Sequence, residues 1–448
     1  MPCPHSHRDA PSDDDGSDDE QLSRRQMIKA AVAIGGASGL SACLDREVSA
    51  QGTPTPTEQQ FPTGPADLST LPERQHAWVD WLVRDRFGNT VLPQHQTMLL
   101  LDYVGPEPPD AAARETVESA FRTIERAYQR GTGGNESAVQ HEGLLFVVGY
   151  SPSYFDRFDD DLPEGIDLPS PEQVMDAIGE DDPTADDADA VIHLGAGYGS
   201  VLLAAERALT GDVEAVNGIS VTDSLADYFE VADRRTGFFG RGQPARKYDN
   251  DDIPESAPLS MGFKSGYIDT LPTEDRITIR DGPFAGGTTM QVSRLEHDLD
   301  SWYDHDHGER THRMFSPDHD SDDVGTVGEN LASASRMSED IVDAVNDADT
   351  DVIGHGQKIA NARDDEFRQP IMRRDFNPTD TPGLHFDSWQ RDMEEFVDVR
   401  RAMNGEHVEV DVAEENDGIL AFTDVTNRAT FLMPPRSLRA LPAPNPER

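Results

Sequence analysis

Apolar runs of two kinds alternate along the chain. Gln94–Tyr103, Gly143–Tyr150 and Ala190–Leu194 are short, continuous runs of strand character. Between the first two, Asp110–Arg130 places Val117, Phe121, Ile124 and Tyr128 at helical spacing, and a further helix is expected over about Ser200–Leu209. A β-α-β unit followed by β-α predicts a ferredoxin-like module, with helices covering one face of an antiparallel sheet. The second half repeats the theme. Met290–Arg294 and Gln369–Arg373 read as strands and Glu339–Val345 as a helix. Trp389, Met393, Phe396, Val397 and Met403 form a stripe that predicts a helix over 388–403, and strand-like runs at Gly418–Thr423 and Thr430–Pro435 close the unit. The expected fold is therefore α+β, built as two ferredoxin-like modules over residues 76–250 and 251–448.

The first 75 residues follow a different pattern. Ser23-Arg-Arg-Gln-Met-Ile-Lys29 leads into the small, apolar run Ala30–Leu40, which is too short and glycine-rich to span a membrane comfortably and reads as a twin-arginine signal over residues 1–42. Leu40-Ser-Ala-Cys43 resembles a lipobox, so Cys43 is the expected lipidated first residue of the mature chain. Residues 43–75 then form a tether rich in Gly, Pro, Thr and Gln. The expected location is the outer face of the cytoplasmic membrane, reached by a route that exports chains already folded.

Charge narrows the setting. The 448 residues carry 86 Asp+Glu against 38 Lys+Arg, a formal net charge of −48, which disfavours nucleic acid and anionic lipid as partners. Such self-repulsion is tolerable where molar salt cuts the Debye length to about 3 Å, as in a halophile. With only Cys3 and Cys43 present, neither a disulfide framework nor a multi-cysteine metal site is available.

The chemistry concentrates late in the chain. Asp351-Val-Ile-Gly-His-Gly-Gln-Lys-Ile-Ala-Asn-Ala-Arg363 sets His355 between two glycines, and Gln369-Pro-Ile-Met-Arg-Arg-Asp-Phe376 supplies the pair Arg373 and Arg374. Met261-Gly-Phe-Lys-Ser-Gly266 precedes them, and Gly286-Gly-Thr-Thr-Met-Gln-Val-Ser-Arg294 lies between, with Asp298 and Trp302 beyond. In order and spacing these landmarks resemble the dye-decolourising (DyP-type) peroxidases, over most of the chain beyond about residue 75. The resemblance implies haem (heme b) in the C-terminal module and hydrogen peroxide as oxidant, with an unidentified reducing substrate. It implies His355 as the iron ligand, oriented by a carboxylate, with Asn361 and Arg374 lining the cofactor. Arg374 by preference, and Arg373 otherwise, would polarise the peroxide. Where the family motif carries an aspartate this chain has Ser265, a poor general base, and Asp269 is the nearest substitute. That departure favours a rival reading: a non-catalytic lipoprotein that keeps the fold for haem or iron capture, or for structure alone. His193, inside a strand, reads as a satisfied core histidine. The acidic stretch with His305, His307, His312 and His319 reads as a solvated insert in preference to a divalent-cation site of imidazole and carboxylate ligands.

Overall fold

The computed structural model describes residues 60–240, 242–267, 270–331, 352–406 and 413–446. The signal, Cys43, Asp269 and the helix expected over 339–345 lie outside them. Fourteen strands occur among these residues: β1 Val83–Arg84, β2 Thr90–Val91, β3 His95–Tyr103, β4 Leu144–Tyr150, β5 Thr184–Ala185, β6 Ala190–Ala196, β7 Ala215–Val216, β8 Ile219–Ser220, β9 Phe229–Phe238, β10 Thr288–His297, β11 Met372–Arg373, β12 Asn377–Pro378, β13 Gly383–Gln390 and β14 Thr423–Met433. The longer helices are α1 Ala111–Ala127, α2 Pro171–Ile178, α3 Gly199–Leu209, α4 Leu299–Asp304, α5 His307–Met314, α6 His355–Ala360 and α7 Met393–Met403.

Local signals account for several boundaries. Ser170 caps α2 in a reciprocal capping box with Gln173, Pro171 opens its first turn, and Gly179 ends it at φ 71°. Asp110 caps α1 by accepting from the Ala113 amide. Two expected elements come out differently. Ser388–Gln390 belong to β13 rather than to the helix, because they pair with Thr289–Gln291, and α7 starts only after the Asp392 cap. Leu420–Phe422 form a 3₁₀ turn, and strand pairing begins at Thr423.

The first half orders its strands β4-β6-β3-β9 and the second β11-β13-β10-β14. Numbered within each half, both orders are 2-3-1-4, so the two halves share the ferredoxin-like topology. The sheets meet at both edges: β14 joins β4 through Leu432 and Tyr150, and β12 joins β9 through Asn377–Phe238 and Pro378–Gly237. Since Phe376 also bridges His385 of β13, the strands close on themselves. Met98, Leu100, Val147, Met290, Phe376 and Trp389 fill the interior. There His193 bonds Asp387 at 2.7 Å and Gln96 at 2.6 Å, linking the two halves, so it is a satisfied core histidine. On the outer face of the first sheet, α1 and α3 bury Val117, Phe121, Ile124, Val201 and Leu209 against Leu99 and Phe146.

Candidate functional site

The outer face of the second sheet is not sealed in this way. Between it and α5, α6 and α7 lies a cleft with about 1400 Å³ of space free of protein atoms, its open mouth included. The sheet contributes Leu295, His297, Leu384, Phe386 and Val425, and the helices contribute Met314, Ile359, Phe396, Val399 and Met403. This is a mostly apolar wall with a few polar groups converging on it, the usual make-up of a cofactor site.

His355 enters the cleft from the first turn of α6. Gly354, just before it, lies so close to the carbonyls of His312 and Phe315 that any side chain there would collide with backbone, which is why a glycine leads the histidine. The short helix is fastened by Gln357, whose Oε1 accepts from the Gly354 amide at 2.9 Å, and by Lys358, which donates to Asp417 Oδ1 at 2.5 Å. Burial, then the charges of Arg373, Lys358 and Arg400, pushes the His355 imidazole down to about 3, so it is neutral at any ordinary pH. Its Nδ1 is buried without a partner, so the orienting carboxylate that the resemblance implies has no counterpart among the described residues.

The paired arginines part company. Along the segment beside β13, Met372 faces Trp389 inside the barrel and Arg373 faces Ser388 on the cleft side. Arg373 therefore lines the cleft. Arg374 turns inward, 1% exposed, with its guanidinium 5.3 Å from the Trp389 ring centroid and Nη2 against Met372 Sδ at 2.7 Å. Strand alternation thus gives the cleft position to the second choice of the pair. Ser265 also lines the cleft, and with Arg373 it borders a smaller adjoining cavity of about 320 Å³. Asn361 ends α6, its amide turned back to the carbonyls of Gln357 and Lys358, and it does not line the cleft.

Three cleft residues were not singled out from the sequence. Arg363 donates Nη1 to the Phe367 carbonyl at 3.2 Å but buries Nε and Nη2 without partners among the described residues, and burial together with the Arg373 charge lowers its pKa to about 10. His297 binds Ser260 Oγ through Nδ1 at 3.0 Å, and burial lowers it to about 4. Asp375 is the third. Arg363 was legible as the end of the His355 stretch, and Asp375 as the residue two beyond Arg373. His297 showed no such signal. Among the described residues no group of three or more His, Cys, Asp or Glu is arranged to hold a metal ion. The stretch expected to be a solvated insert is instead packed structure: it forms α5, His305 pairs with Glu309 at 3.3 Å, His307 stacks on Phe263, and Thr311 and His319 are buried.

The fold is that of the dye-decolourising peroxidases. A Shewanella oneidensis protein assigned to the DyP-type peroxidases superposes with a TM-score of 0.50 at 16% identity, over 78% of this chain and 94% of that one. A dye-decolorizing protein from V. cholerae gives 0.49 at 18% identity, over 81% and 98%. A DypB variant from Rhodococcus jostii RHA1, in complex with heme, gives 0.49 at 17% identity, over 78% and 96%. No curated protein matches the chain. Residues 93–435 match the model of a family of unknown function, DUF7405, and the chain belongs to that family.

Proposed function

We propose that this chain is a haem-dependent peroxidase of DyP type, reducing hydrogen peroxide with electrons from an external donor. The observation that carries the reading is His355: a neutral imidazole whose buried Nδ1 has no hydrogen-bond partner among the described residues, held on an anchored helix at the wall of a large apolar cleft that also holds Arg363 and Arg373, neither of which forms an ion pair among the described residues.

The residues present fit haem. His355 would ligate the iron, Leu384, Phe386, Phe396 and Val399 would pack on the porphyrin, and Arg363, with two unspent nitrogens, would take a carboxylate of the macrocycle. When bound, haem supplies the redox chemistry that cleaves the peroxide bond. Arg373 has no ion-pair partner among the described residues, and it holds the anionic peroxide oxygen as charge develops there. The apolar walls exclude water and strengthen that interaction. Ser265 stands in the same wall as a hydrogen-bonding group without proton-accepting strength.

The test is reconstitution of the purified protein with haem in molar salt. A Soret band with peroxide-driven dye oxidation supports the enzyme. A Soret band without turnover supports the rival haem-capture protein, which Ser265 and the unpartnered His355 Nδ1 favour. Absence of the band overturns both. The setting we propose is a halophile's cell surface, the mature chain exported by the twin-arginine route and held by lipid on Cys43. The Arg24-Arg25 motif, the lipobox-like Leu40–Cys43 and the charge of −48 support it. Exchange of Cys43 for alanine should release the protein from the membrane fraction, and unchanged retention would overturn the anchor.

A further inference from the structure

Asp375 lies two residues beyond Arg373 on the segment beside β13, so the strand period of two brings both side chains to the cleft face. It is 4% exposed, and it lines both the cleft and the smaller cavity in company with Arg373 and Ser265. Among the described residues no lysine, arginine or histidine stands within salt-bridge distance of its carboxylate. Burial holds its pKa above the ordinary carboxylate value, opposed by the Arg373 charge, then by a hydrogen bond from its own backbone amide and then by the Arg374 charge. A buried acid with no ion partner is expensive for a fold to keep, and packing alone gives no reason for it. Its place is therefore better explained by chemistry than by stability.

We propose that Asp375 is the acid–base residue of this cleft, carrying the proton that Ser265 cannot. The inference rests on the haem reading and names the group that completes it. Over one turnover hydrogen peroxide takes up two protons and two electrons and leaves as two waters, the electrons coming from the external donor. The part of Asp375 is one proton. Its carboxylate accepts it from one peroxide oxygen and returns it to the other, whose bond to the first breaks as it departs as water. Arg373 steadies the negative charge between those two transfers. The charged and titratable groups around Asp375 are Arg373 and Arg374 on its own segment, Asp387 on β13, and, lining the other walls of the same cleft, Lys264, Tyr267, His297, His355, Arg363, Arg400 and Arg428.

The test uses haem-loaded full-length protein and two readouts, peroxide reduction and the on-rate of cyanide, which must shed its proton to bind. D375N removes a buried charge and should fold. Its Soret band should match the wild type, while both rates fall, peroxide reduction by about 100-fold or more, in the range for general acid–base groups. D365N, at an exposed acid outside the cleft lining, should change neither. Unchanged rates in a Soret-positive D375N overturn the proposal and leave the haem reading standing. A wild type with no Soret band overturns the haem reading and the proposal with it. Should D375N fail to fold, the wild-type cyanide on-rate decides: it should rise with pH through one ionisation above the ordinary carboxylate range, and a flat profile overturns the proposal.

Discussion

At the scale of single residues, two adjacent arginines have opposite fates because one strand has two faces. The sequence places the pair beside the cleft but cannot say which member enters it, since a one-residue slip in register exchanges them. Only the pairing of Met372 with Trp389 decides it. Replacing Arg373 by leucine should lower peroxide reduction by about 100-fold or more, the scale for loss of one preorganised donor, with the melting temperature little changed. Replacing Arg374 by methionine should leave the reaction within a few-fold, because a buried charge with an unpaired Nε gives way readily to an apolar side chain of similar volume. Steady-state rates and melting curves on the two variants separate these outcomes; loss of activity in R374M with R373L intact would reverse the assignment. Asp375 stayed hidden in the sequence for a related reason. One more acid in a chain with 86 of them carries no signal until burial removes its solvent.

Among the elements, those fixed by local signals were readable and those fixed by pairing were not. The strands β3, β4 and β6 and the helix α1 lie where periodicity puts them. The start of α7 was misplaced because Trp389 fits a helical stripe by spacing, yet its neighbours are spoken for by Thr289–Gln291 in the ladder. Closure of the barrel was likewise illegible, for each seam rests on pairs more than a hundred positions apart, Leu432 with Tyr150 at one edge and Asn377 with Phe238 and Pro378 with Gly237 at the other. Gly237 is where that contact is tightest: a side chain there would strike the Asn377 carbonyl and the Phe376 ring. Exchange of Gly237 for valine should therefore destabilise by about 1–3 kcal/mol through overpacking at the seam. It should also loosen the strand that carries Arg373 and Asp375. A urea midpoint equal to the wild type, with cyanide binding unchanged, would show that the seam is not needed to hold the cleft.

For the whole molecule, the surface and the interior respond to different variables, and each can be held fixed while the other is changed. The charge of −48 is mostly solvated, so raising potassium chloride from 0.1 M to molar levels should raise the melting temperature steeply by screening self-repulsion. The interior responds to protons. Burial lowers His141 to about 4, and His76 and His385 to about 3, against an ordinary value of 6.5. His141 shows the reason directly: its Nε2 accepts the Val83 amide at 3.0 Å, a bond that protonation destroys. A histidine whose folded pKa is depressed gives stability that is complete above the unfolded pKa and is lost as pH falls below it. The unfolded chain takes up those protons first. At constant 3 M salt, the urea midpoint should thus hold steady at about pH 7–8 and decline from about pH 6.5 downward, before most carboxylates titrate. Glutamine at His141, which can still accept the Val83 amide but cannot be charged, should shallow that decline. A midpoint flat from pH 7 to 5 would mean that these imidazoles are not buried in their neutral form, and a decline equally steep in H141Q would assign it to other groups.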